Sequence, residues 1–343
     1  VERSALICGL ALGLGAAAMS AHAAAGWAVA AWVCADGDLG AAGTHYAATL
    51  ERTAAAQGWA LALEADRGRL GAVRSTVGAT GAVVRTHQEP ANMGSSDALA
   101  QFLSWAAERT WAARRALVIY GHGPGADDAT MLAGDALIID DSRHDPLTGT
   151  EVAEAVKAVG SKLDLIVLDC CHGMRAETLW ALRSSAEVVV ASAGRAPSGG
   201  LPWEALGSAA APSAEELAVA ILTAAEKVAG SDGLCAIRPR ELEAVANAVA
   251  GVGRALDVQA GNGDAVLAGA RALCADRGPG RELCDLRELC ARLSAVGEGA
   301  VAAAARQVVA ATDRCRCAGP GGAAGRQAEL LVWMPGGILN NSP

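Results

Sequence analysis

LDLIVLDCCHGMRAE, Leu163 to Glu177, is an apolar run that stops abruptly at reactive and turn-forming residues. ALVIYGHGPG, Ala116 to Gly125, repeats the pattern. Short apolar runs bounded by such signals read as strands buried on both faces of a parallel sheet. Open α/β sheets collect their chemistry at the carboxyl ends of the strands. The two runs therefore put His122 and Cys171 side by side at one sheet edge, a histidine base next to a cysteine nucleophile.

Outward from these runs the chain alternates strand and helix. Strands are expected over 29–35, 59–65, 117–120, 163–168 and 188–191, and a hairpin over 72–85. Helices are expected over 44–57, 97–108, 150–159 and 175–184, the second with Leu99, Phe102, Leu103 and Ala106 on one face. This βαβα order implies an α/β fold, a mostly parallel sheet with helices on both faces. Residues 124–147, rich in Gly, Asp and Pro, read as a long surface loop. Ser213-Ala-Glu-Glu216 is a capping-box pattern opening a helix that Gly230 closes. Helices over 240–255, 264–275, 281–293 and 300–312 follow, and the tail over 329–333 returns as a strand.

His-Gly after one strand and Asp-x-Cys after the next resemble the clostripain family of the caspase-like cysteine peptidases. Further stretches carry the resemblance: Trp27 to Leu39 with its Asp36-Gly-Asp38-Leu39 end, Glu64-Ala-Asp66-Arg67, Asn92-Met93-Gly94 with Phe102-Leu103-Ser104-Trp105, and Gly199 to Trp203. It implies a caspase-like peptidase domain over 24–230. A mainly helical, cysteine-rich region over 231–343 completes that domain or packs on it. Protein or peptide substrates are implied, and no organic cofactor or metal.

Each candidate residue has its chemistry and its plainer reading. Cys171 is the nucleophile; a cysteine attacks as thiolate, so it needs a base or a positive field beside it. The helix expected from Arg175 supplies part of such a field. Buried cysteine is otherwise a common core residue, and Cys170, facing the opposite side of the chain, is read as core filler. His122 takes and returns the proton, whereas His172 is too close in sequence to reach back to the sulfur. By the resemblance, the backbone amides of Gly123 and Cys171 form the oxyanion hole. Asp169 lines the pocket for a basic side chain, or caps a turn. Ala193-Gly194-Arg195 departs from the acidic residues that the family carries there, which weakens a preference for cleavage after Arg or Lys. Asp36 and Asp38 cap the next segment or bind a cation, and Asp140, Asp141 and Asp145 form an acidic loop. Arg143 in that loop is the candidate self-processing site.

Bulk properties bound the rest. A formal net charge of −9 lacks the basic footprint that nucleic acid requires. Glu2-Arg3, the apolar residues 5–18 and Ala21-His22-Ala23 read as a signal peptide over 1–23, so a secreted or periplasmic protein without a further membrane span is expected. In an exported chain, Cys235, Cys274, Cys284, Cys290, Cys315 and Cys317 fit a disulfide framework better than a zinc site. Two other readings stand beside the peptidase: a catalytically inactive relative kept as a binding or surface-interaction protein, and a thiol-redox protein using Cys170-Cys171.

Overall fold

The computed structural model describes residues 26–78, 80–110, 112–123, 135–160, 162–206, 211–227, 233–258, 263–274, 283–317 and 330–333. Its strands are β1 (Trp27–Cys34), β2 (Ala60–Asp66), β3 (Ala72–Val77), β4 (Val83–Gln88), β5 (Arg114–Tyr120), β6 (Ala136–Asp140), β7 (Asp145–Thr148), β8 (Leu163–Asp169), β9 (Ala186–Ser192), β10 (Leu234–Ile237), β11 (Leu283–Asp285) and β12 (Leu331–Trp333). Eight of them form one sheet in the order β10-β9-β8-β5-β1-β2-β3-β4. The pairings from β9 through β2 are parallel, and β10, β3 and β4 join antiparallel at the two edges. This is the expected α/β sheet, and the expected hairpin is β3–β4.

Strand alternation sends successive side chains to opposite faces. Val29, Ala31 and Val33 of β1, with Val118, Val167 and Val190, pack under helices α1 (Gly40–Gln57) and, later in the chain, residues 214–225. Trp32, Leu117, Ile119, Ile166, Leu168 and Val189 point the other way. There they meet α2 (Ser96–Arg109), whose Leu99, Phe102, Leu103 and Ala106 form the predicted face. Trp32 donates its indole N–H to the Met93 carbonyl at 3.0 Å and packs its ring 5.2 Å from that of Phe102. Caps set the helix starts. Ser95 accepts the Ala98 amide, and Thr148 and Glu151 form a reciprocal capping box on α3 (Gly149–Ala158).

After β8 comes a short helix, α4 (Ala176–Ala181), and then α5 (Ala214–Ala225), opened by Ser213 as its capping pattern predicts. Helices α6 (Leu242–Asp257), α7 (Gly263–Ala272), α8 (Leu286–Val296) and α9 (Gly299–Cys315) complete the chain. Their apolar residues are continuous with the core under the sheet, and β10 is a strand of that sheet. Beside them, β11 and β12 pair antiparallel.

Three sequence expectations need correction or placement. The described part of the expected long loop is a hairpin, β6–β7, whose Leu137, Ile138 and Leu147 are fully buried; the short Leu-Ile-Ile run is masked in the sequence by the Gly, Asp and Pro around it. Residues 124–134, like the leader over 1–23 and Gly230, lie outside the described residues. The expected disulfides are not present, because all nine described cysteines are free thiols. Cys274, Cys284, Cys290 and Cys315 belong to the core, and burial pushes the thiols of Cys284, Cys290 and Cys315 up to about 12. In a chain with one Phe and two Tyr, they fill space as small apolar side chains.

Free buried thiols make stability insensitive to reductant. Thermal melts of the purified protein with and without a reducing agent should coincide. A drop of several degrees on reduction would instead reveal stabilising disulfides, which are worth roughly 2–4 kcal/mol each.

Candidate active site

Tyr120 of β5 lies opposite Asp169 of β8 in the parallel pairing. His122 and Cys171 each follow two positions later, so the register that aligns the strands also aligns the two turns beyond them. Gly123 shows how closely these turns meet. A Cβ at this position would lie 2.3 Å from the Cys171 carbonyl oxygen and 2.7 Å from its nitrogen, so only glycine fits. Neither the Gly123 nor the Cys171 amide is hydrogen bonded to another described residue. Two unpaired donors thus sit where the turns touch.

The imidazole of His122 is 40 % exposed, and its Nε2 contacts Asp38 Oδ1 at 2.5 Å. Asp38 comes from the turn after β1, the strand next to β5. The hydrogen bond and the charge of His122 hold the Asp38 carboxyl below its usual range. Nδ1, the other ring nitrogen, has no hydrogen bond to a described residue. The His122 backbone is held too, its carbonyl accepting the Ile139 amide at 3.1 Å. Nearby, burial first and then the charge of Asp36 raise the Asp141 carboxyl. Asp36 accepts the Ser142 amide at 2.6 Å, and Asp140 accepts the Met93 amide at 2.9 Å. These carboxylates fasten loops; no metal-binding group of three or more His, Cys, Asp or Glu side chains occurs among the described residues.

Cys171 is partly exposed, and its Sγ accepts the Ala196 amide at 3.4 Å. This donor comes from the loop after β9, not from a helix: α4 starts only at Ala176 and has six residues. The helix field expected at the sulfur is therefore replaced by one backbone N–H. Its neighbour His172 is buried at φ 54°, donates its amide to the Gly194 carbonyl and sets Nδ1 3.2 Å from the Ala193 carbonyl. Burial lowers its pKa, so His172 is a neutral clamp on the loop that supplies Ala196. Cys170 is buried in the core, its thiol pushed well up by desolvation. Arg175 is completely buried and donates to the carbonyls of His172, at 3.3 Å, and Ala136. It ties the Cys171 turn to β6, while Leu331 of β12 donates its amide to the Met174 carbonyl at 2.9 Å.

Asp169 is 3 % exposed and accepts the Leu201 amide at 2.8 Å. The Tyr46 hydroxyl also bonds to it, and desolvation pushes its carboxyl up to about 6. Tyr46 in turn accepts the Trp203 indole N–H at 2.9 Å and stacks on Tyr120 at 4.1 Å. The cavity beside Asp169 measures only 10 Å³. Instead of standing open to a basic side chain, this carboxyl is covered by the segment ending at Leu201. Arg143 lies in the β6–β7 turn, where its guanidinium contacts Asp140 at 3.0 Å, the Pro90 carbonyl at 3.0 Å and Asp66 at 3.8 Å. These bonds clasp the hairpin to the sheet, so cutting at Arg143 would require them to break.

Burial disfavours the ionised form of Asp169, so its contribution to stability is full below the unfolded value near 4 and is lost as pH rises through about 6. The loss amounts to about 3 kcal/mol. Urea unfolding at pH 4.5 and 7 should show Asp169→Asn gaining on the parent chain by up to that amount as pH rises. Parallel pH profiles for the two proteins would contradict this.

With the geometry in place, comparisons identify what the chain resembles. No curated protein sequence matches it. A secreted C11 cysteine protease from Bacteroides thetaiotaomicron, solved in complex with an irreversible peptide inhibitor, aligns with a TM-score of 0.62 at 16 % identity, covering 90 % of this chain and 89 % of that one. An inactive zymogen C11 protease from Parabacteroides distasonis aligns with a TM-score of 0.61 at 14 % identity, covering 92 % and 94 %. At these identities the likeness is one of fold, the caspase-like sheet expected from the sequence. A model of the clostripain family matches residues 70–311. That span takes in both strand ends, His122 and Cys171: the chain is a member of the clostripain family of cysteine peptidases.

Proposed function

We propose that the chain is an exported cysteine endopeptidase in which Cys171 and His122 act as one unit. The observation that carries this reading is the seating of Gly123 against the Cys171 backbone, which puts the two turns in one register. The Cys171 sulfur attacks the scissile carbonyl carbon while its proton passes to His122 Nδ1. The amides of Gly123 and Cys171, without another partner among the described residues, receive the developing oxyanion. The imidazolium then protonates the leaving amine as the C–N bond breaks. Water attacks the resulting thioester, giving a proton to His122; the C–S bond breaks and the proton returns to sulfur. Asp38, bonded to Nε2, steadies the ring and leaves Nδ1 to take the proton. The leader-like segment over 1–23, together with the secreted structural relatives, supports export.

A second reading, a non-cleaving relative that binds peptides, draws on the small size of the cavity beside Asp169. One experiment separates the two. The purified chain should cleave a mixed peptide library, and Cys171→Ala should lower that cleavage by roughly a thousandfold or more. No cleavage by the folded parent, or equal cleavage by the variant, would leave the binding reading.

A further inference from the structure

On its β9 side Cys171 is flanked by a buried carboxyl, Asp169, and an exposed cation, Arg195. Asp169, two residues before Cys171, already has its partners: the Leu201 amide at 2.8 Å and the Tyr46 hydroxyl. The segment that covers it is firmly seated. Gly200 has φ 72°, and a Cβ there would fall 2.3 Å from the Tyr46 ring and 2.9 Å from Asp169 Oδ2. The Tyr120 hydroxyl bonds to the Ser198 carbonyl from the other side. The remaining cavity, 10 Å³ between Asp169, Ser192, Pro197 and Leu201, has room for about one water. The tail of a Lys or Arg does not fit.

Arg195 is placed differently. The carbonyl of Gly194 just before it accepts the His172 amide at 2.9 Å, and the amide of Ala196 just after it points to Cys171 Sγ at 3.4 Å. The backbone on both sides of Arg195 is thus bonded to the nucleophile turn. Its side chain is exposed and forms no ion pair with a described residue. The charge is felt at this turn, since it contributes to lowering the His172 pKa after burial and the Arg175 charge. An exposed guanidinium carried on backbone anchored to the Cys171 turn matches a carboxylate, which it binds through paired N–H donors.

We propose that Arg195 is a specificity-determining residue that takes a carboxylate on the substrate residue whose carbonyl is attacked, so that the chain cleaves after Asp or Glu rather than after Arg or Lys. The attacked residue is the one concerned because Ala196, next to Arg195, contacts the attacking sulfur itself. This inference rests on the reading of Cys171 as nucleophile.

Peptide acyloxymethyl ketones ending in Asp or in Lys test it. The Cys171 sulfur displaces the acyloxy group as a free carboxylate and forms a thioether, which intact-protein mass reads directly. Rates are expressed relative to iodoacetamide on the same protein. The Asp probe should label the parent chain about tenfold faster than the Lys probe or more, and Arg195→Glu should abolish or reverse that ratio. A faster Lys probe, a ratio unchanged in Arg195→Glu, or iodoacetamide labelling of Cys171 with neither peptide probe reacting would overturn the assignment to Arg195. Failure of iodoacetamide itself to label Cys171 would instead overturn the nucleophile reading, and the assignment with it.

Discussion

Strands β5 and β8 lie side by side in parallel, and the site depends on that contact. Their hydrogen-bonded register, with Tyr120 opposite Asp169, carries straight through to the turns that follow. Because a parallel pair keeps both chains pointing the same way, both turns emerge at the same edge of the sheet. The absence of a side chain at Gly123 lets them touch, backbone to backbone, at Cys171. Everything else near the sulfur is arranged to hold that contact. Arg175 ties the Cys171 turn to β6, His172 clamps the loop after β9, and the Ile139 amide holds the His122 carbonyl. The buried guanidinium is costly to desolvate. Its hydrogen bonds to carbonyls on separate segments offset that cost and fix the turn.

The electrostatics divide around Cys171. On the β1 side, Asp38 reaches His122, and Asp36 and Asp141 lie close behind. On the β9 side the buried carboxyl of Asp169 is covered and Arg195 is exposed. Carboxylates thus lie on the His122 side of Cys171, and a cation on the β9 side.

Much of this was legible in the sequence, for local reasons. The runs ending at Tyr120 and Asp169 are continuous and apolar, as strands buried on both faces must be, and each is followed at once by its reactive residue. Ser213 and Glu216 announced α5 because a capping box is a local device. Long-range pairings left no such trace. Asp38 and His122 lie far apart in the chain, and only the order β5-β1 brings them together. The Ala196 amide on Cys171 Sγ is a backbone contact, invisible in side-chain identities. Hairpin β6–β7 was hidden because its strands are short and set among turn-forming residues. The cysteines of the C-terminal region suggested disulfides by number and setting, yet each is spent on packing, a use that spacing does not distinguish. Asp169 was placed correctly at the strand end, but that Leu201 would cover it depends on a loop whose path only the fold determines.

The register of β5 and β8 brings the His122 and Cys171 turns together, and we propose that the two side chains work as a pair. The rate of iodoacetamide alkylation at Cys171, read by peptide mass at neutral pH, tests it most directly in the parent chain and in His122→Ala. The account predicts fast labelling of Cys171 with buried Cys170 left untouched, and a fall of about tenfold or more when the imidazole is removed. Equal rates in the two proteins would mean that the histidine does not act on the thiol, and that the shared strand edge is architecture without chemistry.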